Sequence, residues 1–150
     1  MPLRELDRIG AGSRNFLVGK ILTSKRPIRV VVADDDPDTV LTLAFILDDE
    51  GYEVRRAYSG SEALEAVKGF EPDAVVLDLG MPPPNGWEVA RAIREMPDGV
   101  RPLLIAISGQ YVKPTDRVIT EKAGFDHFFP KPCDPKRVLE LLSKLASDPI

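Results

Sequence analysis

Cysteine and histidine are almost absent from this sequence, whose 150 residues include one of each. A lone cysteine forms no internal disulfide and makes no cysteine-based metal site. A lone histidine excludes histidine-rich metal sites and argues against a catalytic triad built around histidine. The chemistry of this chain must therefore be sought among other side chains.

Long apolar runs and an excess of basic charge are also missing. No run of about 18 apolar residues, the length that a membrane-spanning helix needs, occurs in the chain. The amino-terminal region lacks the apolar core of a signal peptide, because basic residues interrupt it at Arg4, Arg8, Arg14 and Lys20. A net charge of −4 argues against general nucleic-acid binding, which needs a basic face. We expect a cytoplasmic protein with no membrane association and no direct DNA binding.

The charge is unevenly distributed, and this separates an amino-terminal extension from the rest. Hydrophobic residues make up 43% of the chain, which suits one domain of ordinary size. Residues 1–27 carry a net charge of +4, so the remaining 123 residues carry −8. Gly10 and Gly12 favour flexibility. We interpret residues 1–27 as a basic extension that is flexible, or a docking arm, or ordered against the domain in a homodimer.

Short apolar runs recur along the chain, with turn residues between them. Three nearly continuous runs predict strands buried on both faces of a parallel sheet: Ile28–Ala33, Ala74–Leu77 and Leu103–Ile107. Tyr52–Ala57 alternates with charged residues, which indicates an edge strand, and Phe125–Phe129 is the fifth candidate.

Helical patterns lie between these strands. Pro37 follows Asp36, a candidate N-cap, and begins a helix with one apolar face formed by Val40, Leu43, Ala44 and Leu47. Further helices are predicted over Ser61–Lys68, Trp87–Met96 and Thr115–Ala123, and after Asp134 and Pro135. Trp87 is interpreted as a packing residue.

This alternation predicts an α/β fold with right-handed crossovers. We expect a doubly wound (βα)5, flavodoxin-like three-layer sandwich over residues 28–147, with a five-stranded parallel sheet in the order 2-1-3-4-5. Only four residues follow the last helix, which ends near Ala146, so we expect no output domain.

In such a sheet, ligands bind beside the carboxyl ends of the strands. Asp34, Asp35 and Asp36 follow the first strand, and Asp78 follows the third. Converging carboxylates raise one another's pKa values, and Mg²⁺, which prefers oxygen ligands, relieves their repulsion. Asp34 and Asp35 are therefore candidate metal ligands, whereas Asp36 is better interpreted as a helix cap.

Two further strand ends carry polar groups. Ser108 follows the fourth strand, and its hydroxyl can donate to a phosphoryl oxygen. Lys131 follows the fifth strand and can neutralise phosphoryl charge, and a cis bond to Pro132 would fix the direction of the chain there. Each residue alone is weak evidence, because such a serine is usually a turn residue and a lysine is usually solvated. The complete set indicates phosphate chemistry.

This set resembles the receiver domain of two-component response regulators. The stretches that carry the resemblance are Val30–Pro37, Val75–Pro82, Asn85-Gly86, Ala106–Ser108 and Lys131-Pro132. The resemblance covers about residues 28–146 and needs no insertions. It implies a single-domain receiver whose partner is a histidine kinase or a histidine phosphotransfer protein.

The resemblance also implies roles for individual residues. Asp78 would accept the phosphoryl group as an aspartyl phosphate. Mg²⁺ would be bound by Asp78, by Asp35 directly, by Asp34 mostly through water, and by the backbone carbonyl of Gly80. Ser108 would hold phosphoryl oxygens.

Lys131 would share that role, and the added charge would bias a surface near the fourth helix, fifth strand and fifth helix. Ser108 is a switch residue in this scheme. Phe128 occupies a position where the family often has tyrosine, and it is either a second switch residue or a simple core phenylalanine. Gly80 and Gln110 occupy the two variable positions beside the phosphate. Gly80 offers no side chain, so we expect Gln110 largely to set the phosphoryl lifetime.

Three functions remain open. The first is a phosphorylatable switch that acts on an unknown downstream protein, and the second is a receiver-like interaction module that never takes phosphate. The second class typically loses an acid, the hydroxyl or the lysine, and this chain keeps all of them. The third, an aspartate-nucleophile phosphohydrolase, needs an acid two residues after Asp78, where Gly80 stands. We therefore expect a switch and not a turnover enzyme.

Overall fold

Strands and helices alternate throughout the residues that the computed structural model describes, which are 26–97, 101–109 and 113–147. In chain order the elements are β1 (Arg29–Ala33), α1 (Pro37–Asp49), β2 (Glu53–Ala57), α2 (Gly60–Phe70), β3 (Ala74–Asp78), α3 (Gly86–Arg94), β4 (Leu103–Ser108), α4 (Pro114–Ala123), β5 (His127–Pro130) and α5 (Pro135–Ser147). Within these ranges no helix has the length and apolarity needed to cross a bilayer. Most of the basic extension, residues 1–25, lies outside them.

The sheet has the predicted topology. Every strand pair is parallel, and the order is β2-β1-β3-β4-β5. The three continuous apolar runs form the inner strands, and the alternating run forms the edge strand β2. Ala33 lies opposite Leu77, and Leu77 lies opposite Ala106. The polar residues that follow β1 and those that end β3 and β4 therefore lie at the same edge of the sheet.

Helices cover both faces of the sheet and divide the core into two layers. One layer is formed by inward residues of α2, α3 and the end of α4, and the other by α1 and α5. The predicted apolar face of α1 is confirmed, since its four members are buried: Val40, Leu43, Ala44 and Leu47. Burial of such side chains is the main stabilising contribution to a fold of this kind.

Several element ends differ from the predicted ones. α2 begins one residue early, at Gly60, because the side chain of Ser59 accepts a hydrogen bond from the backbone N–H of Glu62 and caps the helix. α3 begins at Gly86 and ends at Arg94, two residues before the predicted end. β5 begins two residues late, because the Asp126 carboxylate accepts the backbone N–H of Leu104.

Candidate functional site

Three carboxylates converge at the carboxyl edge of the sheet. Asp34 and Asp78 are buried, with 4% and 7% of their surface exposed, whereas Asp35 is exposed. Side-chain oxygens of the three residues lie within 4.8 Å of one another. The structure therefore brings together the acids that were predicted as site residues at the ends of β1 and β3.

Lys131 supplies the positive charge of this cluster. Its Nζ donates a hydrogen bond of 2.7 Å to Asp34 Oδ2 and lies 3.7 Å from Asp78 Oδ1. The backbone N–H of Lys131 donates to the carbonyl of Ser108 at 2.7 Å, which continues the pairing of β4 with β5. The Lys131–Pro132 peptide bond is cis, as the sequence suggested. Residues at the carboxyl ends of β1, β3, β4 and β5 thus lie together at one edge of the sheet.

The cluster perturbs the ionisation of its members. Burial raises the pKa of Asp78, and the negative charge of Asp34 raises it further, while Lys131 and the backbone N–H of Gly80 act in the opposite direction. Burial works to lower the pKa of Lys131, but the hydrogen bond and charge of Asp34 and the charge of Asp78 raise it above its ordinary value. The lysine therefore stays protonated, and an ionised Asp78 gains from any further positive charge.

The donor set of the cluster fits Mg²⁺. All three side chains offer carboxylate oxygens, which this cation prefers. When all are ionised, the three acids and Lys131 leave two negative charges uncompensated, and a divalent cation would balance them. Gly80 is at the site, since its N–H donates to Asp78 Oδ1 at 3.3 Å. The role of its carbonyl stays a prediction.

Asp36 belongs to α1 rather than to the acidic cluster. It lies at the N-cap position, as predicted, but its side chain accepts no backbone hydrogen bond from the helix. The hydroxyl of Thr39 donates to its carboxylate at 2.6 Å and lowers the pKa of Asp36. Its backbone N–H donates to Asp34 Oδ1 at 3.0 Å, so Asp36 orients a neighbouring acid through the main chain.

A glycine with no chemistry of its own shapes the segment after Asp78. A Cβ atom added to Gly86 would lie 2.6 Å from the carbonyl oxygen of Asp78 and 2.7 Å from the Cα atom of Leu79. Asn85 and Glu88 form a capping box that starts α3 at this point. In the sequence, Asn85-Gly86 is recognisable only as part of the resemblance to receiver domains. The spacing of Asn85 and Glu88 was the signal that could have located the helix start.

The remaining candidate residues are Ser108, Phe128 and Gln110, whose predicted roles the structure does not test. Ser108 is buried at the end of β4, with 5% of its surface exposed. Phe128 is half buried and packs against the core layer formed by α2, α3 and α4, with the guanidinium carbon of Arg117 6.0 Å from its ring centroid. Gln110 lies outside the described residues. The switch and lifetime roles of these residues stay predictions.

Comparisons with known proteins agree with this geometry. Residues 30–143 match the model of the response regulator receiver domain family. An uncharacterized 14.6 kDa protein from Leptolyngbya boryana is 36% identical over 115 residues, which cover 77% of this chain and 87% of that protein. The response regulator MprA of Mycolicibacterium vanbaalenii is 40% identical over 106 residues, which cover 71% of this chain and 45% of MprA. The chain thus spans less than half the length of the MprA proteins it matches.

A solved structure shows the same fold. A response regulator receiver domain protein from Methanospirillum hungatei superposes with a TM-score of 0.73 at 25% sequence identity, covering 80% of this chain and 94% of that one.

Proposed function

Since the chain belongs to the response regulator receiver domain family, we propose that it is a phosphoacceptor switch in two-component signalling. In this proposal Asp78 takes a phosphoryl group and a protein-interaction surface changes as a result. The observation that carries the proposal is the position of Asp78, buried among Asp34, Asp35 and the ammonium of Lys131. Such a cluster suits phosphoryl transfer, which depends on positioning and charge neutralisation.

The reaction is a transfer to a carboxylate. A carboxylate oxygen of Asp78 attacks the phosphorus of the donor, a P–O bond forms, and the bond from phosphorus to the donor's imidazole nitrogen breaks. Lys131 Nζ, 3.7 Å from Asp78 Oδ1, orients a phosphoryl oxygen and balances part of its charge. The hydroxyl of Ser108 donates to another phosphoryl oxygen. Burial of Asp78 keeps bulk water from competing for these contacts.

Asp34, Asp35, Asp78 and the carbonyl of Gly80 would hold Mg²⁺. When bound, this cation supplies the positive charge that the cluster lacks and neutralises charge on the phosphoryl oxygens. Before phosphorylation, Asp34 accepts hydrogen bonds from Lys131 and from the backbone N–H of Asp36, which fix its orientation.

The product of the reaction is a changed surface. Phosphorylation adds up to about two negative charges, and Ser108 and Lys131 move towards them. Phe128, on β5 with Arg117 of α4 6.0 Å from its ring centroid, responds as the second switch residue, and the surface of α4, β5 and α5 changes with it. Gly80 and Gln110 occupy the two positions that vary in this family beside the phosphoryl group, and Gln110 largely sets its lifetime.

The phosphodonor is a histidine kinase or a histidine phosphotransfer protein in the cytoplasm. The surface formed in the phosphorylated state binds a downstream protein or a second copy of this chain. The main alternative is a receiver-like interaction module that never takes phosphate. Retention of Asp78, Ser108 and Lys131 argues against it, because each has a use in phosphoryl transfer.

Incubation with Mg²⁺ and acetyl phosphate tests the proposal. Intact-mass spectrometry should show the addition of one phosphoryl group to the wild-type chain and to Glu65→Gln, an exposed carboxylate variant on α2. Asp78→Asn should show none, and chelation of Mg²⁺ should abolish the modification of the wild-type chain.

Each other outcome identifies a different function. An unmodified wild-type chain would support the interaction module, and rapid release of inorganic phosphate without a phosphorylated chain would support a phosphohydrolase. A Gln110→Ala variant tests the lifetime assignment separately. If its phosphoryl group decays at the wild-type rate, Gln110 has no such role.

A further inference from the structure

The outer face of α1 exposes two large apolar side chains. Leu41 is 45% exposed and Phe45 is 72% exposed. They are four residues apart, so they are neighbours on the helix surface. Together they line a groove of about 470 Å³ between α1 and the edge strand β2, which we call the α1 groove; its other lining residues are Ala44, Asp48, Val54 and Arg56. A solvent-exposed phenylalanine beside a groove of this size favours a bound partner.

One end of the α1 groove is acidic. Asp48 and Asp49 close α1, Glu50 follows them, and all three are exposed. The last turn of α1 contains no basic residue. The carboxyl end of a helix carries partial negative charge, so three carboxylates here are unfavourable and a cation would stabilise them. Asp48 and Arg56 both line the groove, so the excess of negative charge lies at its α1 end, where Asp49 and Glu50 adjoin it. That end suits a partner that is both apolar and basic.

A segment of this same chain has that chemistry. Residues 14–25 contain five large apolar residues, which are Phe16, Leu17, Val18, Ile21 and Leu22. The basic residues Arg14, Lys20 and Lys25 lie among them, and no acidic residue occurs between Arg8 and Lys25. The segment therefore complements both parts of the α1 groove.

The chain also enters the domain beside the acidic end of the groove. The Arg26 guanidinium donates at 2.8 and 3.1 Å to Asp73, the residue before β3, so the chain enters at the amino edge of the sheet. The carbonyl of Ile28 accepts the backbone N–H of Glu53 at 2.9 Å, and the preceding residue, Tyr52, donates its N–H to the Leu47 carbonyl at 3.2 Å. Ile28 is thus linked through Glu53 and Tyr52 to the last turn of α1, and residues 14–25 come shortly before Ile28 in the chain.

The length of the segment is sufficient to reach the exposed side chains. Leu41 lies about 12 Å from Asp49 along the axis of α1. An extended chain from Lys25 back to Leu17 spans about 25 Å. A short tether also gives an effective concentration in the millimolar range, so a weak contact is enough to keep the segment bound.

We propose that residues 14–25 bind the α1 groove of their own chain, with apolar side chains on Leu41 and Phe45 and basic side chains against the acidic end of α1. The contact does not depend on phosphorylation of Asp78.

Hydrogen exchange on the full chain, read by mass spectrometry at low protein concentration, tests this contact. Amides of residues 14–25 should exchange about tenfold more slowly in the wild-type chain than in Phe45→Ser, because a bound segment must open before its amides can exchange. Val118→Ser is the matched control, because Val118 is 51% exposed on α4, and it should exchange like the wild-type chain. Leu41→Ser serves as a second variant if Phe45→Ser fails to fold, as judged by circular dichroism.

A triple amide variant tests the charged part of the proposed contact. Replacing Asp48, Asp49 and Glu50 by their amides should speed exchange in residues 14–25, and added salt should have the same effect on the wild-type chain. Equal exchange in the wild-type chain and in both serine variants of the groove would overturn the proposal. Protection that grows with protein concentration would also overturn it, since the occupant would then be a second copy. Protection that survives removal of the acids would reject the charged contact.

Discussion

The indole nitrogen of Trp87 donates a hydrogen bond of 2.9 Å to the hydroxyl oxygen of Thr120 and so ties α3 to α4. Thr120 is 2% exposed, and its hydroxyl donates in turn to the carbonyl of Asp116 at 2.6 Å. Trp87 is the single tryptophan of the chain. Its fluorescence therefore reports directly on the contact between these two helices.

Thr120→Val should weaken this contact while keeping the shape of the side chain. The indole N–H loses its acceptor, so we expect the free energy of unfolding to fall by about 1–2 kcal/mol and the emission of Trp87 to shift. Urea unfolding followed by tryptophan fluorescence measures both quantities. Thr115→Val, on the exposed first turn of α4, should change stability by less than about 0.5 kcal/mol. Equal effects of the two variants would show that the hydrogen bond contributes nothing.

Gly86→Ala should disturb the backbone that carries Asp78. The new methyl group would lie 2.6 Å from the Asp78 carbonyl oxygen, and neither that atom nor the Cα atom of Leu79 can turn aside as a side chain would. We expect a loss of about 2–4 kcal/mol, in the range of severe packing defects. Gly69→Ala is the control, because its Cβ would lie 3.5 Å from an Arg55 guanidinium nitrogen. That change should stabilise α2 by about 0.5–1 kcal/mol. Thermal unfolding of both variants distinguishes crowding from the general effect of replacing glycine.

Lys131→Met should make the domain more dependent on Mg²⁺. Loss of the ammonium leaves Asp34, 4% exposed, without its 2.7 Å partner, and we expect about 1.5–3 kcal/mol of destabilisation in the presence of a chelator. Mg²⁺ should then stabilise the variant more than the wild-type chain, because no lysine competes for the carboxylates. Urea unfolding with and without Mg²⁺ gives both values. Lys136→Met, exposed on α5, should behave like the wild-type chain.

Asp35→Asn and Asp36→Asn should separate metal binding from helix capping. Asp35 lies in the carboxylate cluster, so its amide variant should bind Mg²⁺ about tenfold more weakly, equivalent to about 1.4 kcal/mol. The carboxylate of Asp36 accepts the Thr39 hydroxyl instead, and its amide variant should retain nearly wild-type affinity. Isothermal titration calorimetry measures both affinities. A larger loss in the Asp36 variant would contradict the assignment of ligands.

Much of the fold is predictable from local sequence, because burial on a sheet leaves a periodic pattern. The continuous apolar run before Asp34 and the alternating run before Tyr58 correctly indicated an inner strand and an edge strand. Element ends were harder, since they depend on single hydrogen bonds. The Ser59 side chain accepts the backbone N–H of Glu62 and so starts α2 one residue before the predicted position. The serine three residues before a glutamate was visible in the sequence.

The site was predictable in its residue types but not in its pairings. Acids after β1 and β3 were expected to meet because parallel strands end at a common edge, and they do. No local pattern connects Trp87 with Thr120, which are 33 residues apart, so a residue interpreted as packing also proved to be a hydrogen-bond donor. Such contacts depend on the crossing of α3 and α4, which only the assembled fold determines.

The hydrogen bond from Lys131 to Asp34 joins residues 97 positions apart in the chain. Contacts of such long sequence separation form only after the intervening chain has been ordered, at a cost in loop entropy. During synthesis, which proceeds from the amino terminus, Asp34 and Asp78 leave the ribosome well before Lys131 does. The acidic cluster therefore stays without its lysine until β5 docks at the far edge of the sheet. A nascent or truncated chain that lacks β5 carries the acids but not the balanced cluster.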